Sequence, residues 1–152
     1  DINIRDYLHE IISSFKEISK KEFIFNFDQD SNPKKISKSI EIVYGLRNFI
    51  GNANKFAKNS IFINLKSDSE FTELTVEDDG NGYPRDIISK IGEPYLKSNS
   101  SKDKSKEGLG LGLFIGKTLL EKNFASVNCR NSKTRSGAEV IIRWKNKELF
   151  NI

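Results

Sequence analysis

Residues 76–82 read Val76-Glu77-Asp78-Asp79-Gly80-Asn81-Gly82. Leu74 and Val76 alternate with polar residues through 71–78, which predicts a β-strand that delivers Asp78 to its end. Gly80 and Gly82 then let the backbone approach a neighbour closely. A carboxylate in such a place is a poor partner for phosphate. It is a good acceptor for an amine, such as the exocyclic amine of adenine. The same letters also suit a plain turn after a strand, so the surrounding sequence has to decide.

Upstream, Ile61, Ile63 and Leu65 alternate through 60–66, and a polar turn joins this run to 71–78 as a hairpin. Before it, Ile36, Ile40, Val43, Leu46, Phe49, Ile50, Ala53 and Phe56 fall at helical spacing over 36–57. Residues 28–33 are polar and hold a proline, which predicts a loop, and 22–27 (EFIFNF) read as a strand. Ile4, Tyr7, Leu8, Ile11, Ile12, Phe15 and Ile18 form an apolar stripe that predicts a first helix over 4–19. Downstream, Pro84 suits the start of a short helix. Residues 92–108 are almost devoid of apolar groups after Leu96, the composition of a lid. A helix over 109–123 and strands over 125–131 and 138–144 follow. This order predicts a two-layer α/β (α+β) sandwich with helices on one face of the sheet.

The chain has 152 residues, enough for one domain with a real core. Its net charge of +4 is mild, and the basic run 97–106 lacks interleaved aromatics, which argues against nucleic-acid binding. That run reads either as a solvated loop or as a basic loop near an anionic ligand. No apolar run approaches the ~20 residues of a membrane span. Cys129 is the single cysteine, so no internal disulfide forms. Methionine is absent even at position 1, and the sequence reads as a piece of a longer protein.

Two further segments carry chemistry. On a helix, Asn48, Asn52 and Lys55 lie on one face, a polar seam on an otherwise apolar element. An amide oxygen is a hard donor suited to Mg²⁺, and the lysine is a point charge for phosphate. A solvent-exposed face is the plainer alternative. Gly108-Leu109-Gly110-Leu111-Gly112-Leu113 stands directly before the predicted helix, where free N–H groups bind anions and the leucines anchor the ribbon in the core. It lacks the lysine and hydroxyl residue of a Walker loop. Gly137-Ala138 opens the last strand and by itself reads as a hairpin turn.

In combination these motifs resemble the nucleotide-binding domain of histidine kinases in the GHKL superfamily, which also holds gyrase B, Hsp90 and MutL. Residues 48–56 resemble the asparagine box, 78–82 the first glycine box, 108–113 the second, and Gly137-Ala138 the third. IGEPYLKS and EGLGLGLFIGKTLLE are most similar to the redox-sensing RegB/PrrB branch. The resemblance implies a Bergerat fold with a mixed sheet of about five strands and a mobile ATP lid over 92–109. By that pattern Asn52 coordinates Mg²⁺, Asn48 supports it, Lys55 contacts phosphate and Phe56 packs by the nucleotide. Asp78 holds the adenine amine, with Gly80 and Gly82 giving it room. Tyr95 opens the lid, and the backbone of 108–113 wraps the phosphates. Tyr83 departs from the family's usual aliphatic residue.

The implied reaction is transfer of the γ-phosphoryl group of Mg-ATP to a histidine on a separate dimerisation domain, with a response regulator acting indirectly. The resemblance also implies a cytoplasmic domain of a dimeric parent in the bacterial inner membrane, with this chain a monomeric single domain over 1–152. The sensor, transmembrane and phosphoacceptor domains are expected outside it. Hydrolysing relatives carry glutamate where Asn48 stands. An amide takes no proton at neutral pH, so Asn48 argues for holding ATP rather than hydrolysing it. His9, the sole histidine, precedes Glu10 as in a phosphoacceptor motif, but it sits on the polar side of the first helix and is read as solvated. Two other readings stay open: an ATP-driven conformational module like Hsp90 or MutL, and an interaction module that binds no nucleotide.

Overall fold

A computed structural model describes residues 2–28, 34–37, 39–89 and 104–149. In chain order the elements are β1 (Ile2–Asn3), α1 (Ile4–Lys16), β2 (Glu22–Phe27), β3 (Lys35–Ile36), α2 (Ile40–Phe56), β4 (Ser60–Ser67), β5 (Phe71–Asp78), α3 (Arg85–Ile88), α4 (Lys104–Lys122), β6 (Ala125–Asn131), β7 (Ala138–Lys145) and α5 (Asn146–Leu149). The main sheet has five strands in the order β2-β4-β5-β7-β6. It is mixed, because β2 runs parallel to β4 across the α2 connection while the other pairs are antiparallel. The α/β two-layer architecture and the five-stranded mixed sheet agree with the sequence reading.

Strand parity explains the layers. Register pairs Ile63 with Val76 and Val76 with Val140, and Leu65 with Leu74 and Leu74 with Ile142. All six are buried beneath the helices. Asp78 shares the parity of Leu74 and Val76, so its side chain is directed into the same buried layer. The helices contribute Ile4, Leu8 and Ile11 from α1, Ile42, Leu46, Phe49 and Ile50 from α2, and Leu113 and Leu120 from α4. At ~25 cal/mol per Å² of apolar area, burial of such side chains is the main term that holds the layers together.

Several boundaries differ from expectation. The first helix ends at Lys16, where the amides of Ile18 and Ser19 both turn back to the Phe15 carbonyl at 3.2 and 2.9 Å. Ile18, in phase with the stripe, therefore lies outside the helix and is 83% exposed. The second helix starts at Ile40, because the Ser39 hydroxyl accepts from the amides of Glu41 (3.2 Å) and Ile42 (3.4 Å) as its N-cap. Ile36 instead pairs with Ile2 in a two-stranded ladder and is buried there. Ile40 faces solvent at 67% exposure. Pro84 is the N-cap of α3 rather than its first residue. The two-residue strands β1 and β3 and the four-residue α5 are too short for periodicity to reveal.

The larger correction concerns α4. It begins at Lys104, so residues 108–113 lie inside the helix and not ahead of it. Lysine and glutamate before the glycines are good helix formers, and packing against α2 offsets the cost of glycine. Of the basic run 97–106, residues 104–106 belong to this helix and the rest fall outside the described residues. Most of the predicted lid, Tyr95 included, falls outside the described residues.

Candidate functional site

A cavity open to solvent lies between α2 and the ends of β5 and β7. Its wall is mainly apolar, from Phe49, Ala53, Phe56, Val76, Tyr83, Pro84, Ala138 and Val140, with Gly82 at its edge. Two polar side chains reach it, Asn52 from α2 and Asp78 from β5. A mostly apolar cleft with few convergent polar groups is the ordinary form of a small-ligand site.

Asp78 is 3% exposed. Its Oδ1 accepts from the amides of Gly80 at 2.8 Å and Ala138 at 3.3 Å. Burial pushes its carboxyl above the ordinary aspartate range, and those two hydrogen bonds pull it back only in part. The surrounding glycines are dictated by space. A Cβ at Gly137 would stand 2.0 Å from the Asp78 carbonyl oxygen and 2.2 Å from Oδ1. One at Gly80 would stand 2.2 Å from the Phe56 carbonyl oxygen and 3.0 Å from Asp78 Oδ1. Gly80 thus makes room for Asp78, as expected, and also for the last turn of α2.

Asp79, unassigned in the sequence reading, ties the same parts together. Its Oδ1 accepts from the amides of Lys58, Asn59 and Ser60 at 2.8, 3.0 and 3.3 Å, which clamps the α2–β4 connection to the end of β5. The Lys21 ammonium donates to the carbonyls of Asn54 and Lys55, closing the C-terminal end of α2 where the helix dipole favours a cation.

Across the cavity, Asn48 and Asn52 project from α2 toward α4. A Cβ at Gly112 would lie 3.6 Å from Asn52 Nδ2, 3.8 Å from Asn48 Oδ1 and 3.9 Å from Asn52 Oδ1, so both amides turn toward one point on α4. Asn48 Nδ2 is held by the Tyr44 carbonyl at 2.8 Å. Asn52 Nδ2 is buried and has no partner. An orphaned buried donor costs about 1–3 kcal/mol and marks a place where a ligand acceptor fits. Lys55 is exposed, with its ammonium 5.5 Å from the centre of the Phe56 ring.

Of the predicted site residues, Asn52, Phe56, Asp78 and Gly82 line one cavity, and Gly80 packs behind Asp78. Asn48 and Gly112 flank Asn52. Within the glycine-leucine stretch, Leu113 is fully buried as an anchor and Gly110 is buried, whereas Leu111 is 53% exposed. Gly108 and Leu109 belong to α4, and Lys55 stays at the rim. His9 is exposed, with its ring edge-on to Phe25 at 4.8 Å, on a different part of the molecule.

The profile of the histidine kinase-, DNA gyrase B- and HSP90-like ATPase family matches residues 37–148. Over 108 residues the chain is 36% identical to the sensor histidine kinase RegB of Cereibacter sphaeroides, which covers 68% of this chain and 23% of that protein. The chain thus spans about a quarter of that relative's length. The nucleotide-free catalytic domain of histidine kinase ThkA superposes with a TM-score of 0.76 at 21% identity, covering 95% of each chain. Full-length ShkA, solved with AMPPNP, superposes at 0.74 and 21% identity over 94% of this chain and 30% of its own. The two structural matches, at that identity, establish the fold.

Proposed function

The chain belongs to the histidine kinase-, DNA gyrase B- and HSP90-like ATPase family, and from that premise we propose that it is the ATP-binding catalytic domain of a two-component sensor histidine kinase. One observation carries this reading: Asn52 and Asp78, from separate elements, line the same cavity, one with an unpartnered buried amide and the other with a buried carboxylate. The first suits a phosphate oxygen and the second an adenine amine.

In this reading Asp78 accepts from the exocyclic amine, with the apolar walls of Phe56, Val76 and Val140 on either side. Asn48, Asn52 and Lys55 face the triphosphate, with residues 108–113 of α4 opposite them. The residues present fit Mg²⁺, because Asn48 and Asn52 direct hard amide oxygens toward the same point. When bound, Mg²⁺ supplies charge neutralisation on the triphosphate. The protein contributes placement: Asn48 positions but takes no proton, Asn52 donates to phosphate, and Lys55 adds a positive charge. The γ-phosphoryl group then passes to a nucleophile brought by another domain, and a dimeric membrane-bound parent with a response regulator follows from the same reading. Among the described residues no helix is long and apolar enough to cross a membrane. His9 lies on α1, away from the cavity, and is not the acceptor.

Calorimetric titration with ATP, with and without Mg²⁺, tests the binding step. Binding that strengthens with Mg²⁺ is expected, without steady-state release of phosphate. Absence of binding sinks the reading, and sustained hydrolysis turns it toward an ATP-driven module. Incubation with ATP labelled at the γ-phosphate is expected to leave His9 unlabelled.

A further inference from the structure

Tyr83 is the cavity residue for which the motifs give no role, and it stands where the resembling family carries an aliphatic side chain. It is 7% exposed and forms part of the same wall as Asp78 and Val140. Its backbone is gripped from the edge strand β6. The Asn131 side chain accepts from the Tyr83 amide at 2.7 Å and donates to the Tyr83 carbonyl at 3.4 Å. Gly82, at φ 80°, makes the turn that presents both groups, and a Cβ there would stand 2.7 Å from Asn131 Oδ1. Glycine is therefore required by both conformation and space.

Two residues before Asn131, and so on the same face of β6, Cys129 lies close to the Tyr83 phenol. Asn131 thus fixes the Tyr83 backbone, and the ring is buried in the wall. Tyr83 also lies near enough to Asp78 for that carboxylate to help hold its phenol protonated, after burial itself. A buried aromatic wall anchored at its backbone beside the base-reading acid discriminates added bulk, which a yielding aliphatic wall does poorly.

The geometry points to Tyr83 as the residue that sets the shape of the base pocket: anchored at its backbone by Asn131 and buried in the wall, it closes the space beside Asp78 and excludes a purine whose exocyclic amine bears a bulky group. The inference rests on the nucleotide reading above and deepens it, from adenine nucleotides in general to those with an unsubstituted amine.

Titration of the whole chain with Mg-ATP and with Mg-N6-benzyl-ATP tests it. The wild type is expected to prefer ATP by at least about tenfold, within the ~10–200-fold range that shape discrimination reaches. Tyr83→Leu, which keeps an apolar side chain, is expected to lower that preference by about tenfold, and Tyr83→Phe to retain it. Asn131→Ala lies outside the cavity and loosens the wall, so it lowers the preference by a smaller factor. Should the Leu variant fail to fold, the Asn131→Ala ratio decides. Equal binding of both nucleotides by the wild type, or an unchanged ratio in folded Tyr83→Leu or, where that variant does not fold, in Asn131→Ala, overturns the Tyr83 assignment alone. No binding of either nucleotide by the wild type overturns the nucleotide reading beneath it.

Discussion

At the Asp78 end of the cavity the two acids are tied into the backbone of the chain. Asp78 takes two amides, Asp79 three, and the Phe56 and Asp78 carbonyls fill the space that Gly80 and Gly137 leave open. At the Asn52 end, the buried amide nitrogen has no partner and Gly112 leaves only ordinary contact distances around it. In the proposed reading the Asp78 end, which would hold the base, is already braced by the chain, while the Asn52 end, which would hold the phosphates, keeps a buried donor for the ligand. Changes that disturb the backbone fit at the first end should register in stability, and changes at the second mainly in binding.

The largest effect is expected at Gly137. A methyl there meets backbone, which cannot yield as a side-chain tip can, so Gly137→Ala is expected to cost at least ~3 kcal/mol. For a chain of this length that lowers the melting temperature by roughly 6–12 °C. Thermal melts read it directly, and an unchanged melting temperature breaks the contrast between the two ends.

Asp78→Asn separates the roles of one residue. Losing the charged acceptor is expected to weaken ATP binding by roughly 10–100-fold, the value of a hydrogen bond to a charged group. The unliganded chain should respond oppositely. Burial raises the Asp78 carboxyl above its ordinary value, so the folded state holds that proton more tightly than the unfolded chain. The ionised carboxylate therefore lowers stability above its folded pKa, and the penalty fades as pH falls to the ordinary aspartate value of about 3.9. Asparagine removes it. The variant should melt higher than wild type at neutral pH, with the gap narrowing toward about pH 4.

How much of this was legible in the sequence follows the same division. Alternation over 71–78 gave the bounds of β5 and brought Asp78 to its end, and 125–131 read as a strand with the bounds of β6, whereas the facing of Asp78 into the buried layer came only with the register of the sheet. Asn48 and Asn52 could be put on one helix face by spacing. Contacts between residues far apart in sequence were not legible. Gly137 read as a turn because nothing in its neighbours reveals the Asp78 backbone 2.0 Å from its missing Cβ. Asn131 gave no signal, since its grip on Tyr83 depends on β6 reaching the α3 connection. The glycines of 108–113 were misplaced relative to their helix, because propensity favours a break where packing against α2 favours continuity. A four-residue spacing from Gly108 through Gly112 to Gly116 was the available hint that they share one helix.

A smaller change in stability is expected from Asn52→Ala. Truncation removes a buried donor that has no partner, which offsets the lost packing, so stability should shift by no more than about 1 kcal/mol. Mg-dependent ATP affinity should fall by at least about tenfold. Denaturant titration beside calorimetry makes the comparison. A large loss of stability with unchanged affinity means that the amide is structural and the phosphate end has been misread.

The smallest effect, and the sharpest contrast with Gly137, belongs to Gly112→Ala. The nearest atom to a Cβ there is Asn52 Nδ2 at 3.6 Å, an ordinary contact, and the position lies inside α4. Replacing a helix-interior glycine is expected to stabilise the chain by about 0.5–1 kcal/mol. Gly116, one turn on, is the control. A Cβ there meets Phe49 Cε2 at 2.9 Å in the tight crossing of α4 over α2, so Gly116→Ala should destabilise the chain by overpacking. The Gly112 methyl occupies the point toward which Asn48 and Asn52 are turned, so the same substitution that firms the helix should weaken ATP binding. A variant at once more stable and a poorer binder is what an incomplete phosphate end requires. Equal or better binding with added stability would mean that the triphosphate does not pass between α2 and α4.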